Sequence, residues 1–151
     1  MKKEKLMVSS CLLGELVKYN GGHNLIDEDL LIQLEQKYEL FPFCPEVEAG
    51  MDIPRVPCEI ISTDPIQVVN KNYEDKTQFF LLGANKALDL CKKENIKKAL
   101  LKANSPSCSS ETIYDGTFSG ITIFGFGVTT NLLKKCGITI FDETRIDELL
   151  N

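Results

Sequence analysis

A chain of 151 residues with 43% hydrophobic and 26% charged residues carries enough apolar surface for one core and excludes a disordered chain. Its formal net charge of -5 and pI near 5.0 argue against general affinity for nucleic acid or anionic membrane, which requires an excess of lysine and arginine to neutralise phosphate. Lys2, Lys3 and Lys5 precede an apolar run of three residues, Leu6-Met7-Val8, too short for a signal peptide or a spanning helix. A cytoplasmic location is therefore expected, and with it reduced thiols: metal ligation, catalysis or burial must account for the six cysteines.

In chain order, Leu6-Met7-Val8 predicts a first strand that runs through Ser9-Ser10 into Cys11. A glycine-rich loop, Lys18 to His23, follows and is expected to fold back over the sheet edge. Asn24 is placed to cap a helix carrying Leu30, Leu31, Leu34 and Tyr38 at helical spacing, with Asp27, Glu28 and Asp29 at its positive end. Glu39 to Phe43 reads as the second strand of a βαβ pattern. From Cys44 to Pro57, three prolines and Gly50 without periodicity predict an ordered loop. Glu59-Ile60-Ile61 and Ile66 to Val69, around Thr63-Asp64-Pro65, predict a short antiparallel pair.

Thr77 to Lys93 repeats Phe80, Leu81, Ala84, Leu88 and Cys91 every three or four residues and predicts a helix. Lys97 to Lys102 is the next strand, Ile113 to Gly120 a loop, and Gly125-Phe126-Gly127 the opening of a helix from Val128 to Cys136, stopped by Gly137. Ile138 to Phe141 is the last inner strand, and Asp142 or Thr144 caps a terminal helix. The expected fold class is α/β: one compact domain over residues 1–151, a mainly parallel sheet flanked by helices, with a short antiparallel strand pair.

The chemistry concentrates at strand ends, where open α/β sheets place their ligands. Lys102-Ala103-Asn104-Ser105-Pro106-Ser107-Cys108-Ser109-Ser110 surrounds one thiol with four hydroxyls, an amide and a lysine. Cys11 and Cys44 stand in the same relation to the first two strands, and Glu46 follows Cys44 by two residues, within reach of the same edge. Cys91 and Cys136, on or near helices, read as small buried hydrophobes, and burial is also the favoured reading for Cys58. The separations of Cys11, Cys44 and Cys108 match no local metal signature, so pattern alone leaves a shared metal site and plain burial both open. Three thiolates on an iron–sulfur cluster would leave one iron for water or substrate, and three on zinc would also keep a position open. His23 could supply a fourth ligand, but a lone histidine in such a loop is more often solvated or hydrogen-bonded. The amides after Gly125-Phe126-Gly127 could hold an anion or form only a tight turn.

The runs Ser9-Ser10-Cys11-Leu12-Leu13-Gly14, Tyr19-Asn20-Gly21-Gly22, Cys44-Pro45-Glu46, Gly50-Met51-Asp52-Ile53-Pro54-Arg55, Lys102 to Cys108 and Ile113 to Gly120 resemble the DUF523 family, from Val8 to about Glu143. Its better-understood members are thiouracil desulfidases. The resemblance implies a 4Fe-4S cluster on Cys11, Cys44 and Cys108 with one open iron, and a small thiolated base as substrate. It also implies catalytic roles for Glu46 and for a serine of the turn, assigned to Ser105. Lys18, Asn20 and Ser109 stand where members commonly carry arginine, aspartate and glycine, differences expected around the pocket. The resemblance implies an iron–sulfur-dependent desulfidase acting on thiouracil or a related thiopyrimidine; the alternatives are a cluster or sulfur carrier without turnover and a metal-free enzyme using Cys108 as nucleophile.

Overall fold

The computed structural model describes residues 2–151. Four parallel strands form the central sheet: β1 (Glu4–Ser9), β2 (Tyr38–Phe43), β5 (Lys98–Leu100) and β8 (Thr139–Phe141), in the order β2-β1-β5-β8. Strands β3 (Cys58–Thr63) and β4 (Ile66–Asn70) pair antiparallel as predicted. A second antiparallel pair, β6 (Thr112–Tyr114) with β7 (Thr122–Phe124), replaces part of the predicted loop from Ile113 to Gly120. Its three-residue strands are too short for alternation to show in the sequence, and all of β7 is exposed.

The helices are α1 (Glu28–Lys37), α2 (Pro45–Glu48), α3 (Thr77–Glu94), α4 (Val128–Lys135) and α5 (Ile146–Leu150). The N-cap of α1 is Asp27, not Asn24, and Tyr38 begins β2. The single turn α2 falls inside the predicted Cys44–Pro57 loop; Pro45, at its first position, suits a helix start. Helix α3 ends at Asn95, in the left-handed region at φ 58, and Gly137 follows α4 at φ 87. The Asp142 side chain accepts from the Thr144 amide at 2.8 Å and caps a 3-10 turn, Glu143–Arg145, whereas the N-cap of α5 is Arg145, so neither predicted cap stands at the start of the terminal helix itself.

Each sheet face is covered, which is why the inner strands read as apolar runs. In β1, Leu6 and Val8 face α1 and α5 among Leu34, Tyr38, Leu100, Phe141 and Leu149. Met7 faces α3 and α4 among Ala87, Cys91, Ala99, Leu133 and Ile140. Leu6, Met7 and Val8 are fully buried, and each such side chain contributes about 1.5–3 kcal/mol relative to exposure. The β3–β4 pair packs Cys58, Ile60 and Val68 on Phe80 and Ala84 of α3. Because β1 lies between β2 and β5, chain connections leave it in both directions, and a crevice opens at the carboxyl ends of these strands.

Candidate active site

Four of the six cysteines line that crevice, and three of them, Cys11, Cys44 and Cys108, reach it from strand ends. Cys11 lies in a short 3-10 turn, Ser10–Leu13, immediately after β1. Cys44 follows β2 as the N-cap of α2, and Cys108, 4% exposed, sits in the turn after β5. All three line one cavity of about 550 Å³, together with Glu46, Arg55, Lys102 and Ser105. The size falls in the range of small-molecule sites. Tyr19, Phe43, Tyr114 and Phe118 add aromatic surface suited to a flat ring.

Backbone contact holds the cysteine turns in place. The amides of Val128 and Thr129 donate to the carbonyls of Pro106 and Ser107 at 2.9 and 2.8 Å, and Gly127 N–H donates to Ser109 at 2.8 Å. Thr130 Oγ1 donates to the Cys108 carbonyl at 2.7 Å. The amides at the start of α4 are therefore engaged by the cysteine turn, and the tight-turn reading of Gly125-Phe126-Gly127 holds over the anion site. A Cβ at position 127 would stand 2.3 Å from the Ser107 carbonyl carbon, so only glycine permits this approach. Gly83 of α3 plays the same part under α2, where a Cβ would lie 2.3 Å from the Pro45 carbonyl oxygen.

Glu46 projects from α2 between two donors. Arg55 Nε reaches Oε1 and Ser107 Oγ reaches Oε2, each at 3.2 Å. Ser105 Oγ instead accepts the amides of Ser107 and Cys108 at 3.1 and 3.2 Å. Its oxygen orders the turn, while its own O–H remains available at the cavity wall. Ser109 does not line the cavity; its hydroxyl donates to the Thr112 carbonyl. Lys102 pairs with Glu143 at 2.7 Å.

Burial is the largest influence on the three thiols and raises the pKa of each above the ordinary value. For Cys108 the charges of Cys44, Glu46 and Cys11 add to the rise, while the Ser9 side chain acts against it. The Asn24 side chain and Lys102 oppose the rise at Cys11, and the Val47 amide, Arg55 and the Glu46 amide oppose it at Cys44. A metal-free Cys108 nucleophile requires a lowered pKa; its surroundings work in the opposite sense.

Among the described residues, no three histidine, cysteine or carboxylate groups stand close enough together to hold a single metal ion. A three-cysteine zinc site, with each sulfur about 2.3 Å from one ion, would need such closeness. Three thiols that converge on one cavity supply the soft sulfur donors that an iron–sulfur cluster takes. The residues present therefore fit a 4Fe-4S group.

Residues 6–145 match the family described as 2-thiouracil desulfurase. The chain belongs to that family. It is 38% identical over 152 residues to the uncharacterized protein YbbK of Bacillus subtilis (strain 168), covering 96% of this chain and 99% of the relative. It also resembles the solved structure of the 4Fe-4S-dependent thiouracil desulfidase TudS, with a TM-score of 0.91 and 43% identity over 97% of this chain and 95% of that one.

Within this family framework, several side chains fall elsewhere than the sequence suggested. Cys91 is buried as expected, but Cys136 is exposed, because it caps α4 on the solvent side just before Gly137. Cys58 is buried yet lines the same cavity as the other three thiols; burial, with Glu46 adding to it, pushes its thiol up to about 12. His23 is exposed and accepts the Leu25 amide at 3.0 Å through Nδ1. Of the three departures from the family pattern, Lys18 lines the cavity, whereas Asn20 accepts the Gly22 amide and Ser109 turns inward. In the sequence, Arg55 stands only within the Gly50–Arg55 run and Asn24 reads as a helix cap. In the structure both line the cavity.

Proposed function

We propose that this chain hydrolyses the carbon–sulfur bond of a small thiolated pyrimidine, thiouracil or a close relative, releasing uracil and sulfide. Cys11, Cys44 and Cys108 would hold a 4Fe-4S cluster with one iron left without a protein ligand. The observation that carries this reading is the convergence of three thiols from three strand ends with the Glu46 carboxylate in a single cavity, which Cys58 and Glu59 also line. The name of the solved relative, a 4Fe-4S-dependent thiouracil desulfidase, supports it.

When bound, the cluster supplies a soft Lewis acid that draws the thiocarbonyl sulfur and makes its carbon electrophilic. Glu46 accepts a proton from the water that attacks this carbon and returns it to the departing sulfur. One oxygen enters the ring carbon, and both water protons leave on sulfide. Ser105, whose oxygen already accepts two amides, donates its O–H to the polar edge of the ring. The aromatic residues confine the ring and exclude bulk water.

The test is anaerobic. Protein loaded with iron and acid-labile sulfide, given excess 2-thiouracil or 4-thiouracil, should release uracil and sulfide over many turnovers. A halt after about one equivalent would assign a carrier instead. Activity that survives iron chelation and depends on Cys108 alone would assign a metal-free cysteine enzyme.

A further inference from the structure

Glu46 is held through both of its carboxylate oxygens at the cavity wall. We infer that Arg55 is a positioning residue for the proposed reaction: it fixes the orientation of Glu46 toward the attacking water, with Ser107 as the second point of attachment. The inference rests on the desulfidase reading above. Three nitrogens of the Arg55 guanidinium have separate acceptors. Nε bonds Glu46 Oε1 at 3.2 Å, one terminal nitrogen the Asp52 carbonyl at 3.2 Å, and the other the Val17 carbonyl at 3.1 Å. The Arg55 amide also donates to the Tyr19 carbonyl at 2.6 Å.

A planar guanidinium held at this many points cannot rotate, so the carboxylate bonded to Nε is confined to one plane. Side-chain exposure of 8% for Arg55 and 14% for Glu46 removes most of the water that would otherwise compete for these bonds. Ser107, 1% exposed, donates to the other carboxylate oxygen and leaves Oε2 a lone pair for a proton. Lysine at position 55 keeps the charge but loses the fork and the fixed plane. A displacement of about 1 Å at a reacting group costs about 10²-fold in rate.

The experiment is a double-mutant cycle on cluster-loaded protein, read by single-turnover rates with 2-thiouracil, alongside KM and iron content. Arg55→Lys in the wild-type background should lower the rate about 10²-fold with KM and iron content little changed. In a Glu46→Gln background the same change should have no further effect, because the group it positions is already disabled. Ser107→Ala provides a second, independent arm with the same expected non-additivity. Equal fold losses in both backgrounds, or a loss appearing only as raised KM or reduced iron, would overturn the inference and leave Arg55 a loop anchor. An inactive, fully loaded wild type would instead overturn the desulfidase reading itself.

Discussion

Replacing Gly127 by alanine isolates the contact that places Cys108. Gly127 has φ -63 and ψ 160, which alanine adopts freely, so the substitution carries no dihedral cost. The added Cβ would meet the Ser107 carbonyl carbon at 2.3 Å, its oxygen at 2.4 Å and the Cys108 nitrogen at 2.6 Å. Relief to an ordinary contact of about 3.5 Å requires the two segments to part by about 1 Å. That movement stretches the bonds from Gly127, Val128 and Thr129 to the turn, now 2.8–2.9 Å long, beyond hydrogen-bond range. Three net contributions of about 1 kcal/mol each give a loss of about 3 kcal/mol, at the upper end of the range for overpacking. For a chain of this length the melting temperature should fall by about 6–12 °C. Cys108 moves with the turn, so iron bound after anaerobic loading should drop well below that of wild type. Gly137→Ala is the contrast: a φ of 87 with nothing within 4 Å costs about 1–2 kcal/mol of backbone strain and should leave iron content intact. Wild-type melting and full iron in Gly127→Ala would refute the claim that this close approach holds the site.

Alanine at Cys11, Cys44 or Cys108 should abolish iron binding, whereas Cys136→Ser, at an exposed position, should change neither iron content nor stability. Glu46→Gln should retain the cluster and lose about 10²–10⁴-fold in turnover, as expected when a general acid–base is removed; unchanged turnover would return Glu46 to a structural role. Among the described residues, Thr129 Oγ1 is the buried side-chain oxygen without a partner, so Thr129→Val should be neutral or stabilising by about 1 kcal/mol in denaturant titration. Burial raises the Cys91 thiol from 9.0 to about 11, so the folded state holds this proton more tightly than the unfolded one. Its contribution is complete below pH 9 and declines between pH 9 and about 11. The stability advantage of wild type over Cys91→Ala should therefore shrink across that interval in melts at matched pH.

Local pattern by itself determined the βαβ plan, because Leu6-Met7-Val8, the spacing along Thr77 to Lys93 and the stop at Gly137 each state a period or a terminus within a few residues. It also singled out Cys11, Cys44, Cys108 and Glu46, since small polar residues collect where strands end. It did not contain the β6–β7 pair, whose three-residue strands carry no periodicity, or the exposure of Cys136, which depends on the direction a helix end faces. Tertiary structure alone decided which groups meet. Ser107 rather than Ser105 reaches Glu46 because α4 docks on the turn and fixes its backbone, and Arg55, nine positions further along the chain and beyond the end of α2, meets the same carboxylate. Such contacts follow from the packing of one segment on another, and a close approach requiring glycine at 83 and 127 becomes visible only when both surfaces are in place.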